Sequence, residues 1–544
     1  MEEDDNFERL HTQAREVQPM DLDAAGKILL RASRVGCTGA QTEVLKKALA
    51  ESTGAGKLAM DAAGKDACNT TEEGVLLRDT EAVADYFIQL IKSEAAAATD
   101  DHPIVVCDEG NIYVYCDQDD VETTARAGVY ENATDLVMSS IDALSRMPVL
   151  NTEAKRKAAF QRVCAKVKHE GFFAEAPPRV PMRNGVLHLT LGTYQPELVD
   201  HSPAHRARFR LEHDFDPDAE APVFDAFLER LFPACAASRQ VYLQAAGCAL
   251  FGARPPQDEA RTAVVLVGPP GSGKNTAIAV VEGLMPADAV SHVEPQRWGK
   301  ETSMATLVGA RLNTITELDT STPLSATLLK RVSSQDPVRA RWLYKQEFTF
   351  RPRAINLWAS NDLPRISGLS SGSGRHDGVE RRLVVLETGE GVAAHDRRPD
   401  LLEAIRLETP GVINRVVAAF RQLMEQGQFT LPESHDLNIV RIQYGDDPVE
   451  IVARLWLEPA PQESVGNQDL MRALRQVATD LGLDSGEAAA PWQMKRLSGQ
   501  ISKLYRARRG DSNNTVTYRG VRIRPSLRER LPPTGAASAV RRLA

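Results

Sequence analysis

RTAVVLVGPPGSGKNTAIAVVEGLM, residues 261–285, decides how the rest of the chain is read. Its apolar run VVLV at 264–267 has the character of a buried parallel strand. The loop Gly268, Pro269, Pro270, Gly271, Ser272 and Gly273 follows, and Lys274 opens an amphipathic helix. A glycine-rich loop alone is an ordinary turn, but between a strand and a helix it is a phosphate-binding loop. The glycines let backbone N–H groups turn inward around a polyphosphate. The helix N-terminus adds the positive end of its dipole, and Lys274 reaches toward the β- and γ-phosphates. The expected ligand is a nucleoside triphosphate, taken as ATP with Mg²⁺. One position departs from the motif: the residue after the lysine, where a Ser or Thr hydroxyl usually meets Mg²⁺, is Asn275, with Thr276 next. Both are therefore metal-ligand candidates.

Bulk composition sets the limits around this stretch. A chain of 544 residues is expected to hold about three or four domains. Hydrophobic content of 42% is ample for cores, and no apolar run is long enough to span a bilayer. The opening MEEDDNFERL is acidic and lacks the apolar core of a secretory signal. Cys37, Cys68, Cys107, Cys116, Cys164, Cys235 and Cys248 are scattered, odd in number and form no C-x-x-C pair. That pattern predicts reduced thiols in the cytoplasm, with neither a zinc site nor a disulfide framework. A net charge of −9 does not advertise a nucleic-acid binder, so the local distribution of charge matters more.

The fold expected is α/β: a P-loop NTPase parallel-sheet core, flanked by helical regions, with a C-terminal winged helix. Residues 1–98 read as helical and 99–222 as an α/β region. The ATPase core is placed at 223–395, a helical segment at 396–462, a basic winged-helix-like domain at 463–530 and a disordered tail at 531–544. Helical spacing marks 24–34, 40–50 and 80–96, and 103–116 alternates as a β-hairpin around Glu109, Gly110 and Asn111. The acids Asp108, Asp117, Asp119 and Asp120 around that hairpin would suit a metal-dependent polymerase or primase site, although turn acids are more often merely solvated. The basic residues of the helix at 152–168 have a solvated face as their plainer reading. A helix broken by Pro410 and Gly411 is expected at 399–426, and PAPQESVGN at 459–467 has linker composition. Beyond it, helix, helix and hairpin in that order make a winged helix. There Lys495, Arg496, Lys503, Arg508 and Arg509 head a basic concentration that fits a phosphate backbone; a basic protein-docking surface is the alternative.

Hydrolysis of a nucleotide needs a carboxylate at the end of a strand beside the phosphate loop. Glu317, closing the strand expected at 311–316, fits. Asn361, closing 354–359, fits a γ-phosphate sensor, and Lys274, Glu317 and Asn361 recur at nearly equal intervals, as successive strand ends would. Arg381 and Arg382 directly precede the apolar strand at 383–386 and are arginine-finger candidates. Between Glu317 and Asn361, VRARWLY and FTF flank a turn to form a hairpin with Lys345 at its tip.

These motifs resemble the superfamily 3 helicases, in the branch of phage, plasmid and poxvirus primase-helicases. GPPGSGKNT at 268–276, ITELD at 315–319 and LLKRVSSQDPVRARWLYKQEFTF at 328–350 carry the likeness, with LWASNDLPRI at 357–366 and GVERRL at 378–383. The resemblance implies Lys274 on phosphate, Glu317 in catalysis and on the metal, Asn361 as sensor, Arg381 or Arg382 as finger, and Lys345 on DNA. It also implies a hexameric homo-oligomer travelling 3′ to 5′ on single-stranded or forked DNA during replication, with partners such as a primase or polymerase. Asn275 and the pair Ser333–Ser334, where many relatives have glycines, depart from the pattern. Fewer than 100 residues precede the shared region, too few for a primase domain, so a helicase without primase is expected. The rival expectations are a non-unwinding ATPase acting as initiator or loader, and a DNA-binding module whose loop only stabilises assembly.

Overall fold

A computed structural model describes the chain except for residues 1, 35–36, 38, 72, 95–101, 120–125, 174–177, 191, 234, 344–346, 369–377, 513–514 and 533–544. It divides into two compact units, Met1–Pro177 with Asp200–Arg210, and Pro178–Val199 with Leu211–Ala544. Among the described residues no helix is long and apolar enough to cross a membrane.

The first unit begins with the helices Glu2–Arg15, Leu22–Arg34, Gly39–Thr53, Lys57–Cys68 and Thr80–Glu94. Leu10, Ile28, Leu29, Leu45, Leu49 and Met60 close the core of the first four. The expected hairpin is present as Val105–Asp108 and Asn111–Cys116, and Val129–Asn132 adds a third antiparallel strand. Its two-residue turn needs φ > 0 at both positions, and Glu109 (51°) with Gly110 (80°) supplies it. Two of the acids here, Asp108 and Asp119, serve local structure. Asp108 is 4% exposed and accepts from the backbone N–H groups of Glu109 (3.0 Å), Gly171 (3.0 Å) and Phe173 (3.2 Å). Asp119 holds Arg210 and the Ala127 N–H, both at 2.8 Å, whereas Asp120 lies outside the described residues. On the basic helix Glu153–Lys166, Arg156 pairs with Asp142 at 2.6 Å and Lys166 with Asp85 at 2.6 Å, so two of its charges are paired inside the unit.

The second unit is organised by a five-stranded parallel sheet: β1 (Ala263–Val267), β2 (Val290–Ser291), β3 (Leu312–Ile315), β4 (Ile355–Ser360) and β5 (Leu383–Glu387), in the spatial order β5-β1-β4-β3-β2. Burial on both faces explains why these strands are nearly continuous apolar runs. Asn313 and Asn356 interrupt them on neighbouring strands, in register, and satisfy each other through an Asn313 amide donated to the Asn356 carbonyl at 2.9 Å. Helix α1 (Lys274–Gly283) follows β1, and the helices Pro222–Leu231 and Ala236–Phe251 precede it.

Two expectations are corrected in this unit. The break between helices Leu401–Leu407 and Thr409–Gln426 falls at Glu408, and Pro410 sits in the first turn of the second helix, where its missing N–H costs nothing. Glu408 caps Pro222–Leu231, accepting from Val223 (3.1 Å) and Phe224 (3.0 Å), and a Cβ on Gly411 would stand 2.1 Å from the Glu220 carbonyl oxygen. The stretch read as a linker is a strand, Leu457–Gly466, paired antiparallel with Thr515–Ile523 and irregular between Ala460 and Ser464. Pro459 and Pro461 misled the reading, yet an edge strand tolerates proline because half its N–H groups face outward. The strand thus spans the boundary expected between 462 and 463. The remaining elements there match the expected order: helices Asn467–Asp480 and Pro491–Tyr505, then strands Arg508–Ser512 and Thr515–Ile523.

His435 is buried beside Arg261, and burial pulls its imidazole down to about 4. The unfolded chain takes up that proton near pH 6.5 and the folded one only near 4, so stability is lost as pH falls through this window. His435→Gln is expected to lose less stability than wild type between pH 6.5 and 4, by up to about 3 kcal/mol. Denaturant melts at the two pH values check this; equal losses would place the acid sensitivity elsewhere.

Candidate functional site

The phosphate-loop candidate leaves β1 at the carboxyl end of the sheet, and backbone hydrogen bonds tie it to its neighbours. The Gly268 N–H donates to the Ser360 carbonyl (3.3 Å), Thr388 N–H to Val267 (2.8 Å) and Leu318 N–H to Ala359 (2.8 Å). The ends of β1, β3, β4 and β5 are thereby drawn together. The sensor candidate lies between the other two, because β4 pairs with both β1 and β3.

A cleft of about 500 Å³ opens at this edge. Pro270, Gly271, Gly273, Lys274, Asn275 and Thr276 line one side of it, and Thr316, Glu317, Ser360 and Asn361 another. The carboxyl ends of parallel strands are where open α/β sheets bind ligands. Glu317, Asn361 and Asn275 are exposed to it. Asp319, the second acid of ITELD, turns away: Ser321 donates to it through N (2.8 Å) and Oγ (2.6 Å), and those hydroxyl and backbone donors hold its carboxyl down at about 2.

The remaining loop residues build the cradle. Lys274 is 8% exposed; its ammonium donates to the carbonyls of Gly268 (2.7 Å) and Pro269 (2.8 Å), and burial lowers its pKa. Ser272 Oγ accepts from the Thr388 hydroxyl at 2.9 Å. Gly271 and Gly273 have φ of 78° and 106°, which other residues rarely adopt. A Cβ on Gly268 would stand 2.1 Å from Thr388 Oγ1.

This donor set fits a nucleotide with Mg²⁺. Among the described residues no group of three or more His, Cys, Asp or Glu gathers to hold a metal by itself. Mg²⁺ in nucleotide sites needs no such cage, taking one or two carboxylates, a hydroxyl and the phosphates. Glu317, Thr276 and the Asn275 amide line the cleft in that combination.

Sequence reasoning missed three cleft arginines: Arg230 from the helix Pro222–Leu231, and Arg397 and Arg398 from the segment after β5. Arg397 donates to the Val392 carbonyl (3.2 Å), and a Cβ on Gly271 would lie 2.9 Å from its guanidinium, so it overhangs the loop. The one available signal for Arg397 and Arg398 was position, soon after a strand that ends beside the loop; Arg230, on a helix ahead of β1, carried none. Phe227, Pro399 and Leu401 complete an apolar wall.

The paired arginines separate. Both precede β5, so they lie at the amino end of the sheet, about 16 Å from the cleft at roughly 3.3 Å per residue over five strand residues. Arg382 is tied down, donating to the Gly378 carbonyl (2.5 Å) and Ser334 Oγ (3.0 Å), while Arg381 has 75% of its side chain exposed. The hairpin also roots at this end: Val338–Arg341 pairs with Glu347–Phe350, burying Val338, Ala340 and Phe350 and turning Arg339 and Arg341 outward. Lys345 lies outside the described residues. In the last domain Lys495, Arg496, Lys503, Arg508 and Arg509 are all exposed. Acids from elsewhere enter that surface: Asp447 holds Arg496 at 2.5 Å, and Glu458 (2.7 Å) with Glu463 (2.6 Å) hold Arg522.

Gly268→Ala is expected to break the Thr388–Ser272 bond and cost about 1–3 kcal/mol of stability by overpacking. Thr388→Ala removes the obstructing hydroxyl, so the double variant should recover most of that loss in thermal melts. Simple additivity of the two changes would refute the close approach.

Residues 105–233 match a family model described as D5 N terminal like, and residues 266–382 match one described as a family of unknown function (DUF5906). The chain is similar to an A-form apo structure of the NrS-1 C-terminal region at 10% identity, over 77% of this chain and 96% of that one, with a TM-score of 0.43. Two structures of that region's segment 305–718 match at 11% identity, over 82% of this chain and 100% of each, with a TM-score of 0.39. Likeness of this degree is too low to carry the argument about fold or function.

Proposed function

We propose that this chain is an ATP-dependent DNA motor of the superfamily 3 helicase type, acting in the replication of a phage, plasmid or similar element. The single observation that supports it most is the convergence of Lys274, Thr276, Glu317 and Asn361 on one cleft at the carboxyl edge of a parallel sheet. In this reading Lys274 and the inward N–H groups of the loop hold the outer phosphates. Glu317 orients and deprotonates the attacking water, and Asn361 donates its amide to the terminal phosphate. Glu317, Thr276 and Asn275 would hold Mg²⁺, which would supply neutralisation of charge on those phosphates. Lys274→Ala is expected to lose ATP binding. Glu317→Gln should bind ATP yet lose roughly 10² to 10⁴ in turnover, the usual scale for a positioned acid–base group. Isothermal titration beside a steady-state phosphate-release assay checks both; wild-type turnover in Glu317→Gln would place the catalytic carboxylate elsewhere.

The opposite-end position of Arg381 fits a finger that acts in trans, since it lies too far from its own cleft to act there. A finger supplied in trans is worth about 10³ to 10⁵ in rate. The AAA+-like ring, hexameric in this reading, would carry DNA past the hairpins, Lys345 included, and the basic winged helix would bind the fork. Polarity of 3′ to 5′ rests on the family resemblance alone. Mixing Arg381→Ala subunits with Glu317→Gln subunits should restore part of the ATPase activity that each lacks. Strand displacement on forked DNAs bearing only a 3′ or only a 5′ tail then separates a helicase from a non-unwinding loader. Mixed rings that form but stay inactive would remove the finger assignment.

A further inference from the structure

The helix Pro491–Tyr505 buries Gln493, Met494, Leu497 and Ile501. The opposite side presents Trp492, Lys495, Arg496, Gly499 and Lys503, all exposed. Trp492 is 52% exposed, whereas Trp298, Trp358 and Trp456 are at most 4% exposed and Trp342 is partly buried. An indole this open gains little from folding. Its neighbour one turn on is held in place: Arg496 donates to Asp447 (2.5 Å) and Gln493 (2.7 Å), with its guanidinium carbon 5.9 Å from the Trp492 ring centroid. Arg496 is thus a positioning residue that braces the indole at the surface. Next to it Gly499 leaves the surface low, since a Cβ there would meet nothing within 4 Å.

The face of the helix that carries this ring also carries Lys495, Arg496 and Lys503, with Asp447 paired to Arg496. Several acids of this domain are already engaged, Asp469 by Arg472, Asp480 by Arg530, and Glu458 and Glu463 by Arg522. Lys495, Arg506, Arg508, Arg509 and Arg519 remain exposed. Cations alone suit the phosphates of a duplex, whose stacked bases need no aromatic partner. A braced, open indole among cations suits a strand whose bases are unpaired, because aromatic side chains stack on any base without regard to sequence.

We propose that Trp492 is a base-stacking residue, and that the helix Pro491–Tyr505 binds an unpaired nucleotide of a DNA strand whose phosphates lie along the neighbouring lysines and arginines. This deepens the reading of the chain as a DNA motor and rests on it for the identity of the polymer. The test uses the full chain without nucleotide, so that strand binding is read apart from ATP turnover. Oligothymidine carrying single 5-iodouracil bases is photocrosslinked and the adduct mapped by mass spectrometry. Affinities of wild type, Trp492→Ala and Trp492→Phe are measured on oligothymidine and on an abasic strand of equal length.

The expected result is a crosslink at Trp492. Trp492→Ala should weaken oligothymidine binding by roughly 5- to 150-fold, the scale of one stacked base, with little change on the abasic strand and none in the salt slope. Trp492→Phe should keep most of the affinity. Crosslinks only at other residues, or losses equal on both strands, would overturn the inference; so would a domain that binds no DNA, which is the protein-docking outcome. The two readings fail separately. ATP-driven unwinding with no role for Trp492 leaves the motor standing, and a Trp492 crosslink in a chain that never turns over ATP leaves only the stacking site.

Discussion

The pairing of β4 with β1 on one side and β3 on the other is the constraint on which the candidate site depends. Ser360 is matched to Val267, and Trp358 to Ile315, by in-register parallel hydrogen bonding. Every strand end in a parallel sheet points the same way, so a loop, a carboxylate and an amide far apart in sequence emerge along one edge. A slip of one residue would turn the side chains of β4 to the other face. The buried Asn313–Asn356 pair opposes such a slip, since the Asn356 carbonyl would lose the Asn313 amide it accepts from inside the sheet.

The same polarity assigns the other end of the sheet a different task. Arg381, Arg382 and the hairpin root together at the amino end, and the serines that depart from the family pattern are used there. Ser333 Oγ accepts from Thr262 and Ser334 Oγ from Arg382, each at 3.0 Å, and Arg254 donates to the Ser333 carbonyl at 3.0 Å. Arg254 is held almost wholly by carbonyl groups, at Glu259, Ser333 and Arg353, and burial draws its pKa down to about 10. Hairpin and arginine segment are therefore joined through one hydrogen-bonded root, while the cleft lies across the strands from both.

Much of the candidate site was legible because its loop carries unusual residues in an unbroken run. Gly271 and Gly273 need positive φ, and Lys274 must sit at a helix start. Glu317 and Asn361 were legible because each follows an apolar strand. Arg230, Arg397 and Arg398 were not, because an arginine outside a motif looks like surface charge until the chain folds back. The difference in setting between Arg381 and Arg382 was hidden for the same reason: adjacent residues look alike until one of them finds Ser334.

In the last domain the sequence by itself determined the helices, the hairpin and the basic excess, all of which are local properties of period and composition. Only the tertiary structure decided that Leu457–Gly466 is a strand, because its stability comes from Leu457 opposite Ile523 and Val465 opposite Tyr518, partners about fifty to seventy residues away. It also decided which charges are free to act, since Glu458, Glu463 and Asp447 approach Arg522 and Arg496 only after folding. The same holds for the glycine-rich loop at 268–273. Its conformation was written in its glycines, but the carboxylate, amide and arginines it faces come from other strand ends and from helices, and only the order β5-β1-β4-β3-β2 brings them to one edge.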